Sequence, residues 1–65
     1  MFDSLTDREI EILAMLAKGL SNKTIGAHIY VSENTIKYHL RSMFSKLRVR
    51  NWTEATNVAI RYGII

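Results

Sequence analysis

The chain contains no cysteine and no proline, only three glycines, and few aromatic residues (9%). Without cysteine there is neither a disulfide framework nor a thiolate metal site. Without proline, and with glycine scarce, little interrupts a helix except short glycine-marked joints. No apolar run approaches the roughly 20 residues that cross a bilayer. No signal-peptide hydrophobic region precedes the fold either, which points to the cytoplasm. What is present is modest: 65 residues, 48% hydrophobic and 23% charged, with mean hydropathy −0.02. That profile is globular and too apolar for a disordered tail. A chain this short has room for one core and buries about 60% of its unfolded surface, so a single domain over residues 1–65 is expected.

The net charge is +3, with a pI near 9.6, and it is unevenly distributed. Residues 1–20 hold the acids Asp3, Asp7, Glu9 and Glu11 against Arg8 and Lys18. Residues 34–50 hold Lys37, Arg41, Lys46, Arg48 and Arg50 with no acid among them. A basic segment concentrated in this way suits a polyanionic partner, usually nucleic acid.

Four helices are predicted, over about residues 6–18, 22–30, 33–47 and 52–62. The first opens on Thr6-Asp7-Arg8-Glu9, which has the form of a capping box. Leu5 is placed to staple its entry, and Ile12, Leu13, Leu16 and Ala17 recur as a buried stripe. Lys18-Gly19 ends it, with glycine at the left-handed position. Ser21 or Asn22 caps the second helix, in which Ile25 and Ile29 face inward. Gly26 costs roughly 1 kcal/mol relative to alanine inside a helix, which implies a close helix–helix approach that a side chain would block.

Ser32 caps the third helix, with Glu33 in its first turn. Ile36, Leu40, Met43 and Leu47, flanked by Phe44, form an apolar face. Lys37, Arg41, Ser45 and Arg48 form a cationic one beside it. Asn51-Trp52-Thr53-Glu54 starts the fourth helix as a second capping box, Ala55, Val58, Ala59 and Tyr62 continue it, and Gly63 stops it. Ile64 and Ile65 then fold back on the core. Met15, Met43, Phe2 and Phe44 read as core or core-edge residues. Trp52 is expected to be half-buried at the joint between the third and fourth helices.

Little here suits catalysis. There is no glycine-rich phosphate loop and no organised acid–base pair, and His28 and His39 lack further ligands for zinc. The chain is therefore expected to be no enzyme and to need no cofactor or metal. Two helices joined by a short turn, the second basic on its outer face, instead describe a helix-turn-helix. Asn34, Lys37, Tyr38 and Arg41 are spaced so that one helix end presents them together. Arg41 suits bidentate contact with a guanine edge and Lys37 a point contact. Tyr38 offers a hydroxyl, or a ring edge to a thymine methyl. Ser32, Asn34, Thr35, Thr24 and Lys23 stand at helix starts, where phosphate oxygens bind.

The stretches LTDREIEIL (5–13), AKGLSNKTIG (17–26), VSENTIKYHLRSMFSKL (31–47) and EATNVAIRYGII (54–65), in this order, resemble the LuxR/GerE-type DNA-binding domain that ends FixJ/NarL-like response regulators. The resemblance implies an all-α, four-helix fold whose third helix enters the major groove and whose fourth pairs two domains on DNA. By position it implies base contacts from Lys37, Tyr38 and Arg41, and backbone contacts from Lys23, Thr24, Ser32, Asn34, Thr35 and Lys46. The chain departs from the family at Thr24, usually glutamate, at Gly26, usually alanine, and at Trp52, where arginine is common. Tyr38 occupies a variable base-reading position.

Thr53, Thr56, Asn57 and Ile60 share a face of the fourth helix that the resemblance makes a homodimer surface. Because that face is small and polar, weak self-association reinforced by DNA is expected, on an inverted or direct repeat. The implied role is sequence-specific binding of double-stranded DNA by a bacterial transcriptional regulator. RNA polymerase and an N-terminal receiver or sensor domain in a longer chain are the further implied partners. Two rival readings are a sigma-factor-like promoter-recognition domain and a module that binds a receiver domain or polymerase subunit without DNA.

Overall fold

Each helix begins where a short polar side chain takes up an unpaired backbone donor. In the computed structural model, which describes residues 4–65, Thr6, Ser21, Ser32 and Asn51 accept from the backbone N–H of Glu9, Thr24, Thr35 and Glu54. From these caps run α1 (Asp7–Ala17), α2 (Asn22–Ile29), α3 (Glu33–Leu47) and α4 (Trp52–Arg61). No strand occurs among the described residues, so the fold is all-α as expected. Phe2 lies outside the described residues.

The caps differ in their return arms. Glu9 completes a capping box in α1 by accepting from the Thr6 N–H at 2.8 Å. In α4 the corresponding Glu54 carboxylate reaches past the cap to the N–H of Arg50 at 2.9 Å, so the expected box closes one residue early. In α2 and α3 the returning residue is a threonine, whose hydroxyl meets that of the capping serine: Ser21 Oγ donates to Thr24 Oγ1 at 2.9 Å, and Ser32 Oγ lies 3.0 Å from Thr35 Oγ1.

All four helices end alike. A left-handed residue follows each last turn: Gly19 (φ 88°), Tyr30 (φ 62°), Arg48 (φ 58°) and Gly63 (φ 71°). The next N–H then bonds back to the final turn: Leu20 to Met15, Val31 to Gly26, Val49 to Phe44 and Ile64 to Ala59. Leu20, Val31, Val49 and Ile64 all pack against the core, so each closure is hydrogen-bonded and apolar together. At Tyr30 and Arg48 the conformation costs roughly 1–2 kcal/mol that a glycine would not incur.

Ile12, Leu13 and Leu16 of α1, Ile25 of α2, Ile36, Met43 and Leu47 of α3, and Ala55 and Ala59 of α4 form one buried cluster. Removing a side chain as large as Met43 from it costs about 2–5 kcal/mol. α1 and α3 each touch all the other helices, whereas α2 and α4 do not meet. As a result α3 is held from behind by three neighbours and keeps one long face outward. The Gly26 backbone passes against the turn: a Cβ there would lie 2.6 Å from the Val31 carbonyl oxygen. Glycine is thus required by close approach to the turn leading into α3, rather than by the helix–helix approach expected, because the chain doubles back immediately after α2.

Four packing expectations are corrected. Ile64 packs on the core but Ile65 is 38% exposed, because the α4 closure at Gly63 turns only the first of the pair inward. Ala17 is exposed, because α1 is already turning into its Gly19 closure. Tyr62 is 62% exposed rather than inward, since it follows the last turn of α4. Trp52 is 55% exposed and stands beside Leu16, Gly19, Leu20, Ser21 and Asn22. At the start of α4 it therefore also borders the α1–α2 joint, because α4 packs on α1 as well as on α3.

Candidate nucleic-acid interface

The outer face of α3 follows from its inner one. Burying Ile36, Met43 and Leu47 turns Asn34, Lys37, Tyr38, Arg41 and Ser45 outward. Tyr38 is 67% exposed, and Lys37 and Arg41 are exposed with no hydrogen-bond or ion-pair partner among the described residues. A neighbouring side chain braces this face: the half-buried His39 ring meets Tyr38 edge-on, with centroids 5.8 Å apart and planes at 68°. This contact between neighbouring residues was not foreseen from spacing.

Lys23, Thr24, Ser32 and Asn34 are exposed and Thr35 is half-buried, all within or beside the first turns of α2 and α3. The first turn of α2 carries no acid, and that of α3 carries only Glu33. These positions thus surround two helix N-termini, where backbone donors and the helix dipole favour an anion.

Lys46 has different surroundings. Its ammonium donates to Glu9 Oε1 at 2.7 Å, and Ser42 Oγ donates to Glu9 Oε2 at 3.0 Å. Glu9 is 3% exposed, and its carboxylate binds α1's own cap and two side chains of α3. Burial alone would raise the Glu9 carboxyl. Hydrogen bonds from Lys46, the Thr6 N–H and Ser42, with the lysine charge, outweigh this and hold it below the ordinary value. A phosphate contact by Lys46 would have to share or break this pair. From sequence Glu9 reads first as a cap and second as an anchor for a nearby arginine or backbone donor; the cation it holds is Lys46, and no local pattern joins residues 33 and 37 positions apart.

On α4, Thr53 and Asn57 are exposed and Ile60 is 63% exposed. Thr56 does not belong to this face. It is 7% exposed beside Ala55 and Ala59, and its hydroxyl is satisfied by the Thr53 carbonyl at 3.1 Å. That internal bond lets a polar side chain enter the core.

Comparison with known proteins agrees with this architecture. Residues 3–59 match the family model of bacterial regulatory proteins, luxR family. The transcriptional regulatory protein LnrK of Bacillus subtilis is 48% identical over 60 residues, covering 92% of this chain and 27% of that protein. The nitrate/nitrite response regulator protein NarP of Escherichia coli is 47% identical over 55 residues, covering 85% and 26%. The chain therefore spans only about a quarter of the length of these relatives. Among solved structures, the response regulator ChrA of a heme-sensing two-component system aligns with a TM-score of 0.92 and 44% identity. That alignment covers 97% of this chain and 31% of ChrA. The transcription factor GerE aligns with a TM-score of 0.88 and 33% identity, over 92% and 90% of the two chains.

Proposed function

The chain belongs to the luxR family of bacterial regulatory proteins, and on that premise we propose that it reads double-stranded DNA as the output domain of a response regulator. In this reading α3 lies in the major groove, which is about 12 Å wide and admits one helix. Arg41 takes guanine O6 and N7 through its paired donors, Lys37 makes a point contact to a base acceptor, and Tyr38 meets a thymine methyl or a base edge. Lys23, Thr24, Ser32, Asn34 and Thr35 hold phosphates at the starts of α2 and α3 and set the register. No catalytic step is part of this role. The observation that carries the reading is the trio Lys37, Tyr38 and Arg41, turned outward on one helix face whose two cations are unpartnered.

Two copies associate through Thr53, Asn57 and Ile60 of α4, weakly in solution and more firmly once both occupy DNA. In a full-length regulator a receiver domain governs access to α3 and α4. Selection from random double-stranded DNA at near-physiological salt, with sequencing of the bound pool, tests the reading. An enriched repeat is expected, with half-site spacing set by the dimer. Salt-sensitive binding without enrichment would overturn base reading, and a stable dimer without DNA in sedimentation would contradict DNA-reinforced pairing.

A further inference from the structure

We propose that Tyr30 and Arg48 grip the DNA backbone at the two ends of α3, an inference that rests on the DNA-reading role of that helix. The starting point is how the four helices end. All close through a left-handed residue, and α1 and α4 use glycine there (Gly19 and Gly63). The helices on either side of the turn do not: α2 closes through Tyr30 and α3 through Arg48, at φ 62° and 58°. Neither side chain repays the strain inside the protein. Tyr30 is 95% exposed, Arg48 is exposed, and neither has a hydrogen-bond or ion-pair partner among the described residues.

Their placement and chemistry fit a duplex backbone. At 1.5 Å per residue the 15 residues of α3 run about 22 Å, longer than the roughly 12 Å width of the groove, so its ends lie near the flanking strands. Tyr30 stands two residues before Ser32, the cap of α3, and its hydroxyl can donate to a phosphate oxygen. Arg48 is exposed just past the last turn of α3, beyond Lys37, Arg41 and Ser45 in the chain, and its guanidinium binds phosphate with two donors at once. Lys46, the nearby cation to which a phosphate would otherwise be assigned, is already engaged by Glu9. Arg48, like Arg50 just beyond it, is an exposed cation with no side-chain partner among the described residues, and as the residue next to the last turn its charge complements the strand.

Tyr30→Gly and Arg48→Gly test the grip, because strain relief and loss of contact move two readouts in opposite directions. Each variant is expected to melt higher, by roughly 4 °C or more. Each is also expected to bind every duplex about three- to tenfold more weakly. Arg48→Gly lowers the slope of log affinity against log salt by about one unit, Tyr30→Gly leaves it unchanged, and Arg48→Lys retains it. Unchanged affinity in both glycine variants, with Arg41→Ala still impaired on its preferred site, would overturn the grip alone. Unchanged affinity in Arg41→Ala as well would remove the DNA reading beneath it. Lower melting in the glycine variants would show that the side chains serve stability and would overturn the proposal.

Discussion

The two outer helices and the two helices of the turn are finished differently. α1 and α4 place glutamates three residues after their caps, and those carboxylates bond inward to backbone N–H groups. In α2 and α3 the same position is Thr24 or Thr35, paired only with a serine hydroxyl. The contrast repeats at the far ends, glycine against tyrosine and arginine. Where polar groups turn inward they bind the framework together: Glu9 alone ties the start of α1 to Ser42 and Lys46 of α3. Where they turn outward, the chain forgoes the most stabilising choice and leaves donors open to solvent. A small domain with few groups to spare thus separates those that hold α3 in place from those that α3 presents.

Breaking the framework side gives the largest expected effect. Glu9→Ala removes three hydrogen bonds and leaves the Lys46 ammonium without its partner, so a loss of about 2–4 kcal/mol is expected. Thermal denaturation should register it as a fall of more than about 10 °C. Thr24→Ala, at the equivalent position of α2, should cost less than about 1 kcal/mol, because Ser21 still accepts from that backbone N–H. Equal losses from the two variants would erase the distinction between the helix pairs.

The presented side should respond in the opposite sense. Arg41→Ala is expected to leave the melting temperature within about 2 °C, since it is exposed with no hydrogen-bond or ion-pair partner among the described residues, yet cost about 1–3 kcal/mol of binding at a single base pair. Competition with operators mutated one position at a time would show this. A uniform loss over all sequences would assign Arg41 to the backbone instead.

Smaller effects sharpen the boundary between the two sides. The Glu9 carboxyl titrates lower in the folded protein than its ordinary value of about 4.5. Its stabilising contribution is therefore fully present above that value and is lost as the pH falls through the folded one. Acid unfolding followed by circular dichroism should accordingly be flatter below pH 4.5 in Glu9→Gln than in the native chain, and identical slopes would contradict the assignment. Smallest is the difference between two lysines. Lys23→Ala should flatten the salt dependence of DNA binding by about one unit. Lys46→Ala should barely change it while lowering stability, because its charge is engaged by Glu9. A full unit of change from Lys46→Ala would place that ammonium on phosphate.

Much of this was legible in the chain, and for a local reason. Helix starts are set by a hydroxyl or amide side chain reaching three residues ahead, and helix ends by a left-handed residue, so Thr6, Ser32, Gly19 and Gly63 announce themselves. The two faces of α3 likewise follow from a 3.6-residue period, which is why the outward placement of Lys37, Tyr38 and Arg41 is legible without any packing. Periodicity was less reliable at helix ends and edges: Ala17 and Tyr62 fit an apolar stripe yet are exposed, and Thr56 fits a polar one yet is buried.

The sequence by itself determined four helices, their order and the one basic face, because caps, turns and amphipathic spacing act over a few residues. Only the tertiary structure decided which cations are free. Lys46 and Arg41 look alike on one helix until α1 packs against α3 and brings Glu9 to 2.7 Å from one of them. The packing of α4 likewise seated Thr56 inside and put Trp52 beside the α1–α2 joint. Such outcomes depend on contacts between residues far apart in the chain, where no short-range pattern specifies which side chain will find which partner.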